Sequence, residues 1–283
     1  KRLVMALPFR DRVVQWAVYR QINYLLDKRY ISTSYACRIG GGTQKAVHQL
    51  QQYIRHTPEE VYVLKLDVSK YFYRIDHDVL LSILYRIFKD RELLELLRRI
   101  IDDDQGGGLF GIDIETGERE TGVGMPIGNL TSQMFANLYL NEADQYAKHK
   151  LHARKYIRYM DDMVIVSNDK VYLRDCWRAM DDFLASHLKL KLNRKSTIIK
   201  ASNGIDFCGY RVWRDHIKLR KKAALKMKHR LRWLKRAYAR GEVDIQTVTA
   251  SLTSYFGLLS HCDSYELRKS ILNALVLVKK RRR

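Results

Sequence analysis

The chain has 283 residues, is 46% hydrophobic, and carries 52 Lys and Arg against 31 Asp and Glu, a formal net charge of +21. A chain of this length can bury a sizeable core and is expected to fold. Its excess of cations indicates a polyanionic partner, with nucleic acid preferred over an anionic membrane surface. No apolar run approaches the roughly 20 residues of a membrane-spanning helix, which argues against an integral membrane protein.

The four cysteines are scattered and lack the spacing of metal ligands or of a disulfide framework. They are expected to be reduced thiols in a cytoplasmic protein. The chain begins at Lys1 and not at a methionine, and we expect further residues upstream.

Hydrophobic periodicity predicts a mixed α and β chain. Strands are expected over residues 61–67, 156–159 and 163–166, and residues 189–200 indicate a strand pair or turn. Residues 113–120, after a glycine run at 106–108, predict a hairpin or mobile loop. Thr131 and Ser132 are good N-cap residues for a long helix. Helices are expected over residues 13–26, 43–53, 78–89, 92–101, 132–150, 172–187, 244–259 and 265–278. Within the basic segment 211–240, a helical apolar stripe is expected at Met227, Leu231, Leu234 and Tyr238.

Three carboxylates follow predicted strands. Asp161 and Asp162 lie at the tip of a hairpin between two apolar strands, and Asp67 ends an alternating strand. Adjacent carboxylates repel, and hard cations such as Mg²⁺ prefer carboxylate oxygens, so these groups predict a metal site suited to phosphoryl transfer. On these residues alone, a simple polar turn at Asp161 and Asp162 is an equal alternative.

Four motifs occur in the order and spacing of a reverse transcriptase: residues 67–72, 124–133, 159–162 and 204–210. The chain resembles that family over nearly its whole length. The resemblance implies an α+β right-hand polymerase fold with fingers, a palm of antiparallel sheet backed by helices, and a helical thumb. It places fingers and palm in residues 1–210, with the fingers mainly in 1–64 and about 77–122. Residues 211–283 would form a basic helical thumb.

The resemblance also implies a role for each matching residue. The implied catalytic residues are Asp67, Asp161, Asp162 and Lys195, and the implied ligands of two Mg²⁺ ions, replaceable by Mn²⁺, are Asp67, Asp161, Asp162 and the carbonyl of Val68. The implied contacts of the dNTP are Arg38, Phe72, Ile127, Gly128 and Gln133. The implied primer grip consists of Phe207, Gly209 and Tyr210.

Simpler interpretations compete with several of these roles. Phe72 can be a core packing residue, and the glycines after Arg38 can form a plain turn. Lys195 is one lysine among many. Lys228, Arg232 and Arg236 share one helical stripe, which can be a solvated face. The near absence of acids around that stripe favours a bound nucleic-acid backbone instead, because nothing offsets the self-repulsion.

Ile127 and Gln133 open and close a motif in which most relatives carry Gln first and Pro last. This departure resembles the enzymes of diversity-generating retroelements, which copy a template RNA into cDNA with errors at template adenines for mutagenic retrohoming. The implied partners are template RNA, the cDNA primer strand, dNTPs and a small basic oligomeric accessory protein, with no membrane, in the cytoplasm of a bacterium or from a phage. The alternatives are a retron, phage-defence or group II intron-like reverse transcriptase, and a noncatalytic RNA-binding protein of the same fold.

Overall fold

The computed structural model describes residues 7–102, 121–126 and 128–278. Within these ranges, the helices are α1 (Phe9–Asp27), α2 (Thr43–Arg55), α3 (His77–Ile87), α4 (Arg91–Ile101), α5 (Leu130–His149), α6 (Lys170–Leu188), α7 (Lys221–Arg240), α8 (Ile245–Leu259) and α9 (Tyr265–Ala274). The strands in the same ranges are β1 (Tyr62–Asp67), β2 (Tyr156–Tyr159), β3 (Asp162–Ser167), β4 (Thr197–Lys200), β5 (Ile205–Phe207), β6 (Tyr210–Val212) and β7 (Ile217–Leu219). No helix in the described part of the chain has the length and apolar character to span a bilayer.

The chain divides into two compact units. The first contains Lys1–Ala46 and Glu59–Ile199, and the second contains Val47–Pro58 and Lys200–Arg283. The strands expected to carry the three carboxylates lie in the first unit. The three-stranded sheet that includes Tyr210 lies in the second unit together with the helices that follow it, and the sequence-based division after residue 210 stays a prediction.

The sheet of the first unit has the strand order β2-β3-β1-β4. β3 pairs antiparallel with both β2 and β1. Its central residues, Met163 to Val166, are buried and rich in β-branched side chains, which favour a strand packed on both faces. Helix α5 is buried over most of its length, and both α5 and α6 contact the elements of this sheet. This core therefore holds β1, which ends at Asp67, and β3, which begins at Asp162.

Aspartate side chains fix where several helices begin. Asp76, Asp90, Asp169 and Asp244 occupy N-cap positions and accept hydrogen bonds from backbone N–H groups of the first turns of α3, α4, α6 and α8. Such caps satisfy donors that have no partner inside the helix, each stabilising the helix by about 1 kcal/mol. The starts predicted for α3, α4, α6 and α8 agree with the structure within two residues.

Helix α5 begins earlier than its sequence pattern indicates. Asn129 is in the N-cap position, and Leu130 is the first helical residue. The prediction that Thr131 and Ser132 cap this helix was wrong, because both lie inside its first turn. Their hydroxyls are buried without a hydrogen-bond partner among the described atoms.

The second unit contains an antiparallel sheet in the order β5-β6-β7 and the helices α7, α8 and α9. Met227, Leu231 and Leu234 of α7 pack in a small core with Val248 and Ile271. The apolar stripe predicted in the basic segment is thus the buried face of α7. The segment 189–200, predicted as a strand pair or turn, contains β4 and an isolated bridge between Val68 and Leu192.

Helix α9 ends at Ala274, four residues before the predicted end at residue 278. The carbonyl of Ala274 accepts a hydrogen bond from Lys235 Nζ at 2.9 Å. A lysine from α7 therefore supplies a donor to a terminal carbonyl that lacks an intrahelical partner. The predicted loop at 113–120 and the glycine run before it lie outside the described residues.

Candidate active site

Asp67 and Asp162 face each other across the sheet. They are directly paired in the register of β1 and β3, and each lies at an end of its strand. Opposed residues in an antiparallel pair have Cβ atoms about 4.5–5.5 Å apart, so the two carboxylates occupy one small region. The structure therefore brings Asp67 and Asp162 together, and their predicted role as metal ligands stays a prediction.

Electrostatics at this pair favour a bound cation. Burial, followed by the charge of Asp162, raises the pKa of Asp67 above its ordinary value of 3.8. Lys65 Nζ lies 3.4 Å from Asp162 Oδ1 and lowers the pKa of Asp67 in opposition to those effects. Like charges at short range disfavour each other, and the lysine offsets only part of that cost.

Asp161 lies in the two-residue loop Met160-Asp161 between β2 and β3. Met160 adopts a left-handed backbone conformation with φ 54°. Within the described ranges, no group of three or more Asp, Glu, His or Cys side chains is gathered closely enough to hold a metal ion. Asp161 as a third ligand, like the carbonyl of the buried Val68, stays a prediction.

The donor set nevertheless fits a hard divalent ion. Mg²⁺ is commonly held by one or two carboxylates together with substrate phosphates, and not by a complete protein cage. Asp67 and Asp162 supply two oxygen ligands on neighbouring strands. The raised pKa of Asp67, caused first by burial and then by Asp162, is a cost that a bound cation would relieve.

The segment that contains Lys195 lies against the end of β1. Asn193 N donates to the carbonyl of Asp67 at 2.7 Å, and Asp67 N donates to Ser196 Oγ at 3.3 Å. Lys195 N in turn donates to Asn193 Oδ1 at 3.1 Å. The Lys195 charge is close enough to oppose the effect of burial on the pKa of Asp67. The structure thus places the charge of Lys195 near Asp67, and its predicted catalytic role stays a prediction.

A fully buried ion pair supports the hairpin. The side chains of Arg158 and Asp144 are both 0% exposed, with Nε 2.8 Å from Oδ1. Tyr156 also donates to Asp144, at 2.7 Å. Arg158 Nη1 donates to Asn137 Oδ1 at 3.1 Å and to the carbonyl of Met160 at 3.2 Å. A single buried guanidinium therefore anchors the backbone beside Asp161 to α5.

The same network reaches a loop that precedes α2. Asn137 Nδ2 donates to the carbonyl of Ala36 at 2.8 Å, and Arg158 N donates to the carbonyl of Thr33 at 3.0 Å. The backbone of residues 33–36 is therefore bonded to both the hairpin strand and α5. These bonds connect the loop to the strand that leads to Asp161.

An open pocket of about 360 Å³ lies in the first unit. Tyr19, Cys37, Arg38 and Gln133 are among the residues that line it. Cys37 Sγ is 3.9 Å from Met160 Sδ, which places this pocket beside the hairpin tip. Two of the predicted dNTP contacts, Arg38 and Gln133, thus line one pocket beside the hairpin tip.

The side chain of Arg38 is held by its own loop. Its Nε donates to Asp27 Oδ1 at 2.6 Å, and its Nη1 donates to the carbonyls of Ile31 and Ser34 at 2.7 and 2.9 Å. These contacts close the loop, and a side chain at Gly41 would not fit, since its Cβ would lie 2.3 Å from the carbonyl of Tyr35. The predicted contact of Arg38 with a triphosphate stays a prediction.

Phe72 lies in a short 3₁₀ turn, Tyr71–Tyr73. It is half-buried, contacts Tyr71 edge to face at 5.6 Å, and packs against the core. Its carbonyl accepts from Met125 N at 2.7 Å. This placement is compatible both with a floor for the nucleotide sugar and with plain core packing.

The remaining predicted dNTP contacts lie before and within the first turn of α5. Gly128 has φ 118°, a conformation that L side chains rarely adopt. Gln133 is half-buried in the pocket wall. Ile127 lies outside the described residues, so its predicted contact stays a prediction.

The predicted primer grip forms a tight hairpin in the second unit. Cys208 and Gly209, between β5 and β6, both have positive φ, 47° and 85°, which is typical of a type I′ two-residue turn. Phe207 and Tyr210 are buried, and Tyr210 donates to the carbonyl of Leu258 at 3.1 Å. No described atom lies within 4 Å of a Cβ placed at Gly209. Any contact with a primer would therefore involve the exposed turn and not the two aromatic rings.

The basic stripe lies on the outer side of α7. Arg232 and Arg236 are exposed, and Lys228 is half-buried. Arg240, at the end of the same stripe, is paired with Glu242 at 2.5 Å. The three predicted backbone contacts thus share one accessible face, while Arg240 is neutralised locally.

Residues 1–212 match the family described as reverse transcriptase (RNA-dependent DNA polymerase). The chain belongs to the reverse transcriptase family. Its α+β class and right-hand polymerase fold are confirmed by the antiparallel sheets with packed helices and by the solved structures that it resembles. The finer assignment to diversity-generating retroelements is not part of this match.

Two curated proteins are similar to this reverse transcriptase chain. Protein YkfC of Escherichia coli (strain K12) is 26% identical over 241 residues, which cover 72% of this chain and 61% of that protein. The putative COX1/OXI3 intron 2 protein of Saccharomyces cerevisiae is 19% identical over 259 residues, 72% of this chain and 29% of that protein. The chain therefore spans less than two thirds of either relative.

Two solved telomerase structures share the fold. The structure from Candida albicans with a TWJ fragment of telomeric RNA has a TM-score of 0.53 and 14% identity, and covers 91% of this chain and 47% of that chain. The corresponding structure from Candida tropicalis has a TM-score of 0.56 and 14% identity, and covers 91% and 49%. At this identity the likeness concerns the fold alone.

Sequence reasoning missed three residues of the site. Lys65 lies two positions before Asp67, on the same face of β1, and strand periodicity could have identified it. Arg158 occurs between apolar strand residues, and Asp144 lies on the apolar face of α5. A charged residue at a position patterned as buried is the signal that could have identified this pair.

The raised pKa of Asp67 predicts an unusual stability change. Between the ordinary carboxyl pKa and the raised one, the folded chain binds more protons than the unfolded chain, so stability falls as pH rises. With divalent ions chelated, Asp67→Asn should therefore have a higher urea midpoint than wild type at pH 7. The difference between the two midpoints should shrink below pH 3.8, the ordinary pKa of the carboxyl group. Added Mg²⁺ should stabilise wild type only. A variant less stable than wild type at pH 7 would contradict this electrostatic account.

Proposed function

We propose that this chain extends a DNA primer on an RNA template. The observation that carries the proposal is the pairing of Asp67 with Asp162 at the ends of two strands, with Lys195 beside them. Membership of the reverse transcriptase family gives the reaction class. Because the chain spans only part of its relatives, its template, primer and partners are proposals as well.

Asp67 and Asp162 would hold divalent ions, which stabilise charge on the attacking and leaving oxygens of phosphoryl transfer. The primer 3′-hydroxyl loses its proton to solvent as its oxygen bonds to the α-phosphorus of the dNTP. The bond from that phosphorus to the oxygen shared with the β-phosphorus breaks, and pyrophosphate leaves. Lys195 would give a proton to the departing pyrophosphate, or stabilise its charge. The hairpin anchored by Arg158 keeps the carboxylates oriented, and orientation supplies a large share of the rate.

Nucleotide selection would take place at the pocket beside the hairpin. Arg38 and Gln133 line this pocket. Gln133 lies in the first turn of α5, and Gly128 lies just before that helix. Phe72 would lie under the sugar ring and exclude a 2′-hydroxyl, which makes dNTPs the proposed substrate. The half-buried position of Phe72 supports this role without requiring it.

Primer extension by the full chain tests the proposed function. The assay uses a DNA primer annealed to RNA or DNA template, with dNTPs or rNTPs, in Mg²⁺, Mn²⁺ or chelator. We expect extension on RNA template with dNTPs and a divalent ion, and none with chelator. RNA binding without extension under every condition would instead support the alternative, a noncatalytic RNA-binding protein of the same fold.

The basic face of α7 predicts the salt dependence of template-primer binding. Changing Lys228, Arg232 and Arg236 together to Ala should weaken binding and reduce the slope of log K against log salt by about 3, roughly 0.9 for each phosphate that the variant no longer neutralises. A control variant, Arg240→Ala, removes a cation already paired with Glu242 and should change the slope by less than about 0.5. An unchanged slope in the triple variant would mean that this face is only solvated.

We further propose the diversity-generating subtype, with cDNA synthesis that is error-prone at template adenines. The support is the sequence from Ile127 to Gln133, which resembles that group, together with the location of Gln133 in the pocket. A retron, phage-defence or group II intron-like enzyme is the alternative. A small basic oligomeric accessory protein and a cytoplasmic location in a bacterium belong to the same proposal.

Ile127→Gln tests the subtype. An amide can hydrogen-bond near the nucleotide sugar, whereas isoleucine offers only shape, so correct pairs gain less over mismatches in this chain. One hydrogen bond worth about 1 kcal/mol corresponds to a several-fold change in selectivity. We expect Ile127→Gln to lower misincorporation opposite template adenine several-fold, measured by sequencing cDNA from one template. An unchanged adenine error rate would refute the role of Ile127.

A further inference from the structure

Helix α1 presents an aromatic stripe away from the protein core. Val18, Ile22 and Leu26 form its buried face. Phe9, Trp16 and Tyr24 are 73%, 55% and 64% exposed. At 3.6 residues per turn, these three positions fall within about 80° of one another on the opposite side of the helix, over roughly 22 Å. Exposed apolar side chains that form one patch mark interaction surfaces.

Cations accompany the rings. Arg12 lies over the ring of Phe9 at 5.7 Å, and Lys28 Nζ lies 3.9 Å from the ring centre of Tyr24. Arg20 is exposed on the same side of the helix, between Trp16 and Tyr24. Along α1 and the residue after it, four cations are exposed, Arg10, Arg12, Arg20 and Lys28, against one exposed acid, Asp11.

We propose that this stripe (Phe9, Trp16, Arg20 and Tyr24) binds single-stranded nucleic acid that flanks the copied segment. Its rings would stack on bases, and the neighbouring guanidinium and ammonium groups would contact phosphates. The proposal rests on the proposed function in taking a polynucleotide as the partner. It adds a binding surface outside the carboxylate site.

Continuity with the pocket supports this occupant. Trp16 contacts Tyr19 edge to face at 5.8 Å, and Tyr19 lines the pocket beside the hairpin. A strand leaving that pocket would meet the stripe directly. Charge argues against a second copy of this chain, since two basic faces on molecules of formal charge +21 repel each other. A basic partner protein is disfavoured for the same reason.

Template flanks provide the test. The full chain extends a primer on an RNA template with no flank, with a 5′ single-stranded flank, or with a 3′ single-stranded flank of unstructured sequence. Trp16→Ala should raise KM at least about fivefold for one flanked template and leave the flankless template unchanged, as expected from about 1–3 kcal/mol per stacked base. The control is Tyr85→Ala, which removes an exposed ring from α3 in the same unit. It should leave the KM unchanged for both the flanked and the flankless templates.

Salt separates stacking from charge. For oligo(U) RNA, Arg20→Ala should reduce the slope of log K against log salt by about 0.7, whereas Trp16→Ala should weaken binding equally at every salt concentration. Arg178→Ala removes another exposed cation in the first unit and should leave both the affinity for oligo(U) and its salt slope unchanged. If wild type extends no template, the proposed function fails, and the oligo(U) measurement still decides the stripe.

Three results would overturn the proposal. Equal KM values for wild type and Trp16→Ala on all three templates, together with equal affinities for oligo(U), would exclude stacking at Trp16. Dimers that dissociate in Trp16→Ala, seen by light scattering, would assign the stripe to a second copy. Loss of binding to phosphatidylserine vesicles in Trp16→Ala, with RNA binding intact, would assign it to an anionic lipid surface.

Discussion

Asp162→Asn is expected to lower the rate of primer extension at least about 100-fold while RNA binding persists. Asp162 is paired with Asp67 in the register of the central strands, and its loss removes one of two carboxylates available to a divalent ion there. Even residues that only orient metal ligands change activity 10–100-fold, so loss of a ligand should cost more. Asparagine keeps the size of the side chain and leaves the basic face of α7 unchanged.

A matched control isolates the site. Asp181→Asn makes the same chemical change at an exposed position of α6 and should extend primers at the wild-type rate. Thermal melting of both variants checks that the fold survives. Extension by Asp162→Asn within about tenfold of wild type would remove the carboxylate pair from the mechanism.

Asp144→Ala is expected to destabilise the first unit by about 3–5 kcal/mol, because it leaves the guanidinium of Arg158 buried without its counter-charge. The measurement is urea unfolding, with the midpoint and slope compared to wild type. Glu95→Ala breaks an exposed pair with Arg99 and should change stability by less than about 1 kcal/mol. A similar small change in Asp144→Ala would contradict the assigned role of the ion pair.

Replacing both partners separates folding from positioning. Asp144→Leu combined with Arg158→Met removes the charges together and should be more stable than Asp144→Ala, since an apolar pair can replace a buried ion pair at little cost. It would still lack the bond from Arg158 to the carbonyl of Met160. We therefore expect the double variant to fold but to extend primers more slowly than wild type. Full activity would show that the bond has no positioning role.

The carboxylate strands could be predicted because their information is local. Alternating apolar residues before Asp67 and β-branched residues after Asp162 specify the two strands. The resemblance to reverse transcriptases, and not the local pattern, indicates that these strands meet. Aspartate caps likewise fixed the beginnings of several helices within two residues. These elements depend on residues that are close together in the sequence.

The supporting network could not be predicted in the same way. Arg158 and Asp144 belong to a strand and a helix, and their pairing depends on how α5 packs on β2. The apolar neighbours of Arg158 indicate that a buried counter-charge is needed, but local pattern does not identify Asp144 as that partner. The early end of α9 has a similar origin, because the lysine that contacts its last carbonyl comes from α7. Both features are specified by tertiary packing.

The backbone at Met160 restricts how this hairpin can vary in evolution. Its φ of 54° costs an L residue roughly 1–2 kcal/mol and is a genuine outlier for a β-branched one. Glycine or asparagine would accept that torsion most readily, unbranched side chains such as methionine at moderate cost, and valine or isoleucine only with difficulty. Backbone conformation therefore limits which residues can replace Met160, beside the two aspartates. Natural variants at this position should favour unbranched residues.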